Sequence, residues 1–125
     1  MKKSLKIMML LLSINMYAQQ KNCAQFRTGE FRYLGENMPE IIIRNDTLQI
    51  ETNPINKVEI HSSIKWTSDC DYVMTYEKIL NYHEDVSDVI GKKIYVSILE
   101  TEGKKYKVRA KGVFLDSELV FEKIN

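Results

Sequence analysis

From Phe26 to Ile124 apolar and polar side chains alternate with a period of two, and stretches containing Gly, Asn, Asp or Pro break the alternation at short intervals. That period belongs to a β-strand with one face in a core and the other in water, and it argues against a helical bundle. Two hairpins test it, because residues directly opposite in antiparallel strands share a face. Around Asn45-Asp46, a pair suited to a two-residue turn with positive φ, Ile43 falls opposite Leu48 and Ile41 opposite Ile50. All four apolar side chains then meet on one face, expected to be the inner one, with Arg44, Thr47 and Gln49 on the other. Around Thr101-Glu102-Gly103, pairing Glu100 with Lys104 aligns Ile98 with Tyr106, Val96 with Val108 and Ile94 with Ala110, again on a single face.

The same parity extends through the rest of the chain. Val58, Ile60, Ser62, Ile64 and Trp66 alternate with Glu59, His61, Ser63, Lys65 and Thr67. A three-residue loop at Ser68-Asp69-Cys70 keeps Tyr72, Met74 and Tyr76 on the face of Ile64 and Trp66. The first strand, Phe26 to Leu34, groups Gly29, Phe31 and Tyr33, and the last, Ser117 to Ile124, offers Leu119 and Phe121. Asn53-Pro54 separates the third strand from the fourth. One segment, 81–91, has helical spacing instead, with apolar residues at 82, 86, 89 and 90. Asn81 suits its cap, Glu84 the capping box and Gly91 its stop, so a helix of about two turns is predicted near 82–90. The expected fold is all-β: an eight-stranded antiparallel meander with short links, closing on itself as a small barrel so that no edge is left exposed.

The amino terminus reads as a secretory signal rather than part of the fold. Lys2, Lys3 and Lys6 precede the apolar run Ile7 to Ile14, and Ala18 precedes Gln19-Gln20. Cleavage after Ala18 leaves 19–125 as one domain; the alternative is lipid attachment at Cys23, for which Gln20 and Asn22 are unusual neighbours. Losing the three lysines turns the net charge of +1 into −2, which gives no global attraction to nucleic acid. The mature part has no apolar stretch long enough for stable membrane insertion. Cys23 and Cys70 are the two cysteines. In an exported chain their expected state is a disulfide. A periplasmic or secreted location follows.

The residues Thr28-Gly29-Glu30-Phe31-Arg32-Tyr33 resemble the G-x-W motif that opens lipocalins, with Phe31 in the tryptophan position. Trp66-Thr67-Ser68-Asp69-Cys70-Asp71-Tyr72, together with Arg44-Asn45-Asp46-Thr47, resembles a set of small exported bacterial lipocalin-like proteins. The resemblance implies a barrel that holds a small apolar ligand. The chain is much shorter than a lipocalin, which implies a smaller interior.

On this reading Phe31, Tyr33, Ile64, Trp66, Tyr72, Met74 and Tyr76 form the candidate ligand-binding face, an apolar wall with tyrosine hydroxyls as polar anchors. The 81–91 helix would lie over one mouth as a lid. The same side chains could instead fill a narrow barrel solidly. The chain would then be an envelope protein-interaction or inhibitor module acting through outward Ile42, Tyr95 and Leu99. Lys105, Lys107, Arg109 and Lys111 make a basic row on strand seven, which Glu118 and Glu122 can neutralise. His61 and His83 lack the further spaced ligands a metal site needs, and nothing points to a cofactor. No G-x-S-x-G, H-E-x-x-H or phosphate-loop motif occurs, so the expectation is a binding protein and not an enzyme.

Overall fold

The computed structural model describes residues 21–125, in which eight strands follow one another in sequence order and close into an antiparallel barrel. They are β1 Gly29–Tyr33, β2 Ile41–Arg44, β3 Leu48–Thr52, β4 Glu59–Trp66, β5 Asp71–Leu80, β6 Lys93–Glu102, β7 Lys105–Gly112 and β8 Asp116–Lys123. Each strand pairs with its neighbour in sequence, and β1 also pairs with β8, placing Tyr33 opposite Phe121. The predicted eight-stranded barrel is the fold observed. The expected signal segment, 1–18, lies outside the described residues.

Closure depends on Gly29, the glycine of the G-x-aromatic triplet. Its φ is +137°, and a Cβ there would stand 2.8 Å from the Asn125 carbonyl oxygen. Beside it the chain terminus completes the ladder, with Asn125 O accepting from Glu30 N at 2.8 Å and Ile124 N donating to Glu30 O at 2.7 Å. A side chain at position 29 would push these strands apart.

The two ends of the barrel differ. At one end the hairpin turns are tight, and a 3₁₀ turn, Ala24–Phe26, packs beneath them. Phe26 is fully buried, its ring 4.4 Å from that of Tyr106. Asn22 N donates to Thr101 Oγ1 and Gln25 Nε2 to the Gly103 carbonyl, holding the segment against the β6–β7 hairpin. A disulfide joins Cys23 to Cys70 of the β4–β5 loop, so Cys23 has no thiol left to carry a lipid. The opposite end bears the longer links 34–40, 53–58 and 81–92.

The core is formed by the side chains that the parity argument grouped. Ile94, Val96, Ile98, Tyr106, Val108 and Ala110 are all buried, as are Ile64 and Tyr72. The registers differ in detail. Gly103, with φ +59°, lets β6 and β7 turn with Glu102 opposite Lys105, and a bulge at Leu99 restores Ile98 to the level of Val108. The pairs Ile98–Val108, Val96–Ala110 and Ile94–Gly112 are thus displaced by two residues from the predicted ones, and an even displacement leaves these side chains on their face.

Strands β2 and β3 need a correction. Ile41, Ile43, Leu48 and Ile50 do share a face, but it is the outer one: Ile43 is 58 % exposed, while Ile42 and Arg44 are buried. The turn is wider than predicted, with Arg44 opposite Gln49 and Asn45 Oδ1 accepting from Thr47 N and Leu48 N. The facing is set from the other side, because the fully buried Phe31 of β1 stands opposite Ile42. Ile42 therefore belongs to the core and not to an outer surface.

The predicted helix at 81–91 is also absent. Asn81 has φ +64° and donates from Nδ2 to the Lys57 carbonyl, while Asp85 Oδ1 accepts from Ser87 N. The first ties the would-be cap to the β3–β4 link, the second is a local bond that competes with the helix ladder, and a segment this short does not nucleate a helix by itself. Only a turn forms, with Val86 O accepting from Val89 N and Ile90 N.

Replacing both Cys23 and Cys70 by serine frees a loop with a sequence separation of 47. The expected loss is about 4 kcal/mol from the entropy of the unfolded chain. Thermal unfolding of the variant, compared with the oxidised parent, measures it. A loss below about 1 kcal/mol would show that the plug segment does not need its covalent anchor.

Candidate functional site

Above the plug, the interior is not filled. A cavity of about 250 Å³ runs towards the end with the long links, where Met38 and Leu115 contribute to its wall. Its size lies just below the range of about 300–1,000 Å³ usual for small-molecule sites. The lining is two-sided. Strands β6 to β8 supply an apolar wall that includes Ile94, Val96, Val108, Ala110, Leu119 and Phe121. Strands β1 to β5 supply Tyr33, Arg44, Gln49, Glu51, Ser62, Tyr72 and Tyr76, a polar wall with Ile42, Ile60 and Met74 between them.

Four of the predicted ligand-face residues, Tyr33, Tyr72, Met74 and Tyr76, line this cavity. Phe31, Ile64 and Trp66 do not: they belong to the solid part of the interior below it. Phe31 meets Tyr106 edge to face at 5.6 Å, and the Trp66 ring packs 4.6 Å from Tyr72 with the Arg27 guanidinium 4.6 Å from its centroid. The Nε1 of Trp66 is buried without a hydrogen-bond partner among the described residues. No residue of 81–91 lines the cavity, so that segment is not its lid.

Arg44, Gln49, Glu51 and Ser62 are the polar lining residues that sequence reasoning did not place in the site. Arg44 is only 3 % exposed. Its guanidinium donates from Nε to Gln49 Oε1 at 3.0 Å, from Nη1 to the Phe26 carbonyl at 2.8 Å and from Nη2 to the Tyr106 hydroxyl at 3.2 Å. It lies 4.6 Å from the Phe31 ring centroid and 5.2 Å from that of Tyr72. Burial works against its charge, but the oxygens of Tyr72 and Tyr106 more than offset this and hold its pKa above the ordinary arginine value. The same burial pushes the Tyr72 and Tyr106 phenols up, with Arg44 working against the rise, so both stay protonated at neutral pH.

Higher in the cavity the Tyr33 hydroxyl donates to Glu51 Oε1. Burial raises the Glu51 pKa; the tyrosine hydrogen bond opposes the rise and Glu40 adds to it. Burial, then Glu51, raises the pKa of Tyr33.

Outside the barrel two members of the basic row on β7 make ion pairs, though with Glu100 and Asp116 and not with the expected Glu118 and Glu122. Lys107 meets Glu100, Arg109 meets Asp116 and Arg32 meets Glu122. His61 Nε2 lies 3.0 Å from Glu59 Oε1 and His83 3.6 Å from Glu84.

The raised pKa of Glu51 has a thermodynamic consequence. The folded state holds this proton more tightly than the unfolded chain, so stability contributed by the protonated form is lost as pH rises from the unfolded value through the folded one. The substitution Glu51→Gln keeps an oxygen for the Tyr33 hydroxyl and removes the titration. Denaturation midpoints measured across mildly acidic to neutral pH should fall in the parent and stay flatter in the variant. A gap of about 1 kcal/mol at neutral pH would appear as roughly 4 °C in Tm. Parallel pH profiles would show that Glu51 carries no burden of burial.

Set against known proteins, the chain matches no family model, no curated protein and no solved structure.

Proposed function

We propose that this chain is an exported, lipocalin-like barrel that binds a small apolar or amphipathic molecule in the cavity between its polar and apolar walls. One observation carries the reading: the barrel is plugged at one end and hollow towards the other, with an apolar wall facing a row of hydrogen-bonding side chains. A solid structural barrel has no use for that division, whereas a ligand gains from both sides, by burial on one and by orientation on the other. The volume favours a compact ligand with a short tail over a long-chain lipid.

Export is supported by the signal-like sequence before Gln19 and by the Cys23–Cys70 disulfide, which needs an oxidising compartment. Binding in place of catalysis is supported by the lining itself. It contains neither His nor Cys, and the Glu51 carboxyl is engaged by Tyr33.

The second reading, an envelope interaction module, is favoured by a specific group of side chains. Tyr95 is 57 % and Phe114 67 % exposed, and Tyr95 shares a shallow depression with Val113, Lys93 and Lys111. On that reading the exterior of β6 and the β7–β8 turn would meet a protein partner.

One variant separates the two. Ala110 is a small, buried residue in the apolar wall, and Ala110→Leu places three more carbons in the cavity. Filling an internal void leaves stability unchanged or raises it by about 0.5–2 kcal/mol. The parent, purified from its host and analysed by native mass spectrometry, should carry a co-purifying small molecule, and the variant should lose it. A parent that is always empty, and that takes up no amphiphile in titration, would reject the binding reading. A partner retained equally by both proteins would support the exterior one.

A further inference from the structure

We propose that the molecule held in this cavity carries a carboxylate, and that Arg44 receives it at the cavity floor. The inference rests on the cavity being a ligand site and adds the chemistry of the ligand's head group. Arg44 is almost wholly buried and also lines the cavity. Three acceptors among the described residues answer its five N–H donors, and all three are neutral: an amide oxygen, a backbone carbonyl and a phenol. None of the ion pairs at 4.0 Å or less among the described residues includes Arg44. Burying a cation is costly, and the faces of Phe31 and Tyr72, like its neutral acceptors, answer that cost without supplying a negative charge.

Holding the plug does not explain the charge. The bond from Nη1 to the Phe26 carbonyl needs one N–H, and a neutral donor would make it without burying an ion. The acid sharing the inner face of β3, Glu51, takes its hydrogen bond from Tyr33 instead. The open space beside Arg44 thus has room for the anion that the protein does not supply. Guanidinium and carboxylate are both planar and pair through parallel N–H···O bonds, which selects a carboxylate over a neutral hydroxyl. Val96, Val108 and Leu119 on the facing wall would take a short apolar tail. The ligand class is a short-chain carboxylic acid.

Isothermal titration of the full mature chain with octanoate and with octan-1-ol, which share an eight-carbon skeleton, tests the head group directly. Octanoate should bind the parent about 10- to 100-fold more tightly than octan-1-ol, the ratio expected of a charge-assisted pair. In the variant Arg44→Met the preference for octanoate over octan-1-ol should disappear, whatever the absolute affinity for the alcohol. Equal affinities in the parent would overturn the carboxylate proposal and leave the cavity's binding role standing. Binding of neither probe would overturn both. Should Arg44→Met not fold, because the plug needs its clamp, carbon-13 spectra of carboxyl-labelled octanoate on the parent decide the matter. A carboxyl that titrates well below its free value on binding supports the pairing, and one that titrates unchanged overturns it.

Discussion

Much of this barrel is organised around one buried guanidinium. Arg44 ends β2, yet its three hydrogen bonds reach the 3₁₀ plug, the start of β3 and the start of β7. Its faces meet aromatic rings from β1 and β5. Elements far apart in sequence therefore converge on a single planar group. A cation in this position is held by geometry more than by charge neutralisation, because every protein acceptor it uses is neutral. Removing it would leave Gln49, the Phe26 carbonyl and the Tyr106 hydroxyl without their donor, so its loss would be felt in the fold and in the cavity together.

The aromatic residues extend that arrangement upward. Phe26, Phe31, Tyr106, Phe121 and Tyr33 form a continuous series with ring centroids between 4.4 and 5.6 Å apart. The lower members make the interior solid, and Tyr33 and Phe121 at the upper end stand in the cavity wall. The hollow begins where small or flexible side chains replace rings: Ala110, Ser62 and Met74 occupy inner positions at that level. A short chain can thus enclose a cavity because its rigid volume is gathered at one end. Tight hairpins and a disulfide-anchored plug seal that end, and the longer links are left at the other.

Parity in the sequence determined which residues share a face, and the barrel follows it through all eight strands. Parity alone does not say which face looks inward. For β6 and β7 composition settles that, since Ile94, Val96 and Ile98 oppose Tyr95, Ser97 and Leu99. For β2 it misleads, because three consecutive isoleucines place apolar side chains on both faces and only the partner strand decides. Phe31 claims the inside, so Ile42 and Arg44 follow and Ile43 is turned to solvent. The polar half of the candidate site was hidden by the same ambiguity: Arg44, Gln49 and Glu51 look like an outer face until the register to β1 is known. Phe31, Ile64 and Trp66 failed as lining residues for a different reason. Alternation fixes a side chain's direction but not its height along the barrel, and these three sit at the level of the plug. The 81–91 segment has helical spacing, but Asn81 is turned to positive φ and reaches the distant Lys57 carbonyl, while Asp85 satisfies Ser87 N locally, and no ladder propagates.

The size of the cavity bears on what any ligand there must supply. At about 0.8 kcal/mol per buried methylene, a seven-carbon tail gains roughly 5–6 kcal/mol from leaving water. Association costs at least about 4 kcal/mol in lost translation and rotation, so a purely apolar guest in a space of about 250 Å³ binds weakly. A larger barrel overcomes this by burying more area, an option closed to a chain of this length. The remaining means is a polar contact that is worth more inside the protein than in water. A guanidinium already desolvated and fixed by three bonds is the strongest such contact on offer, because most of the cost of ordering it was met when the barrel folded. The small volume and the unneutralised charge are thus complementary features of one site.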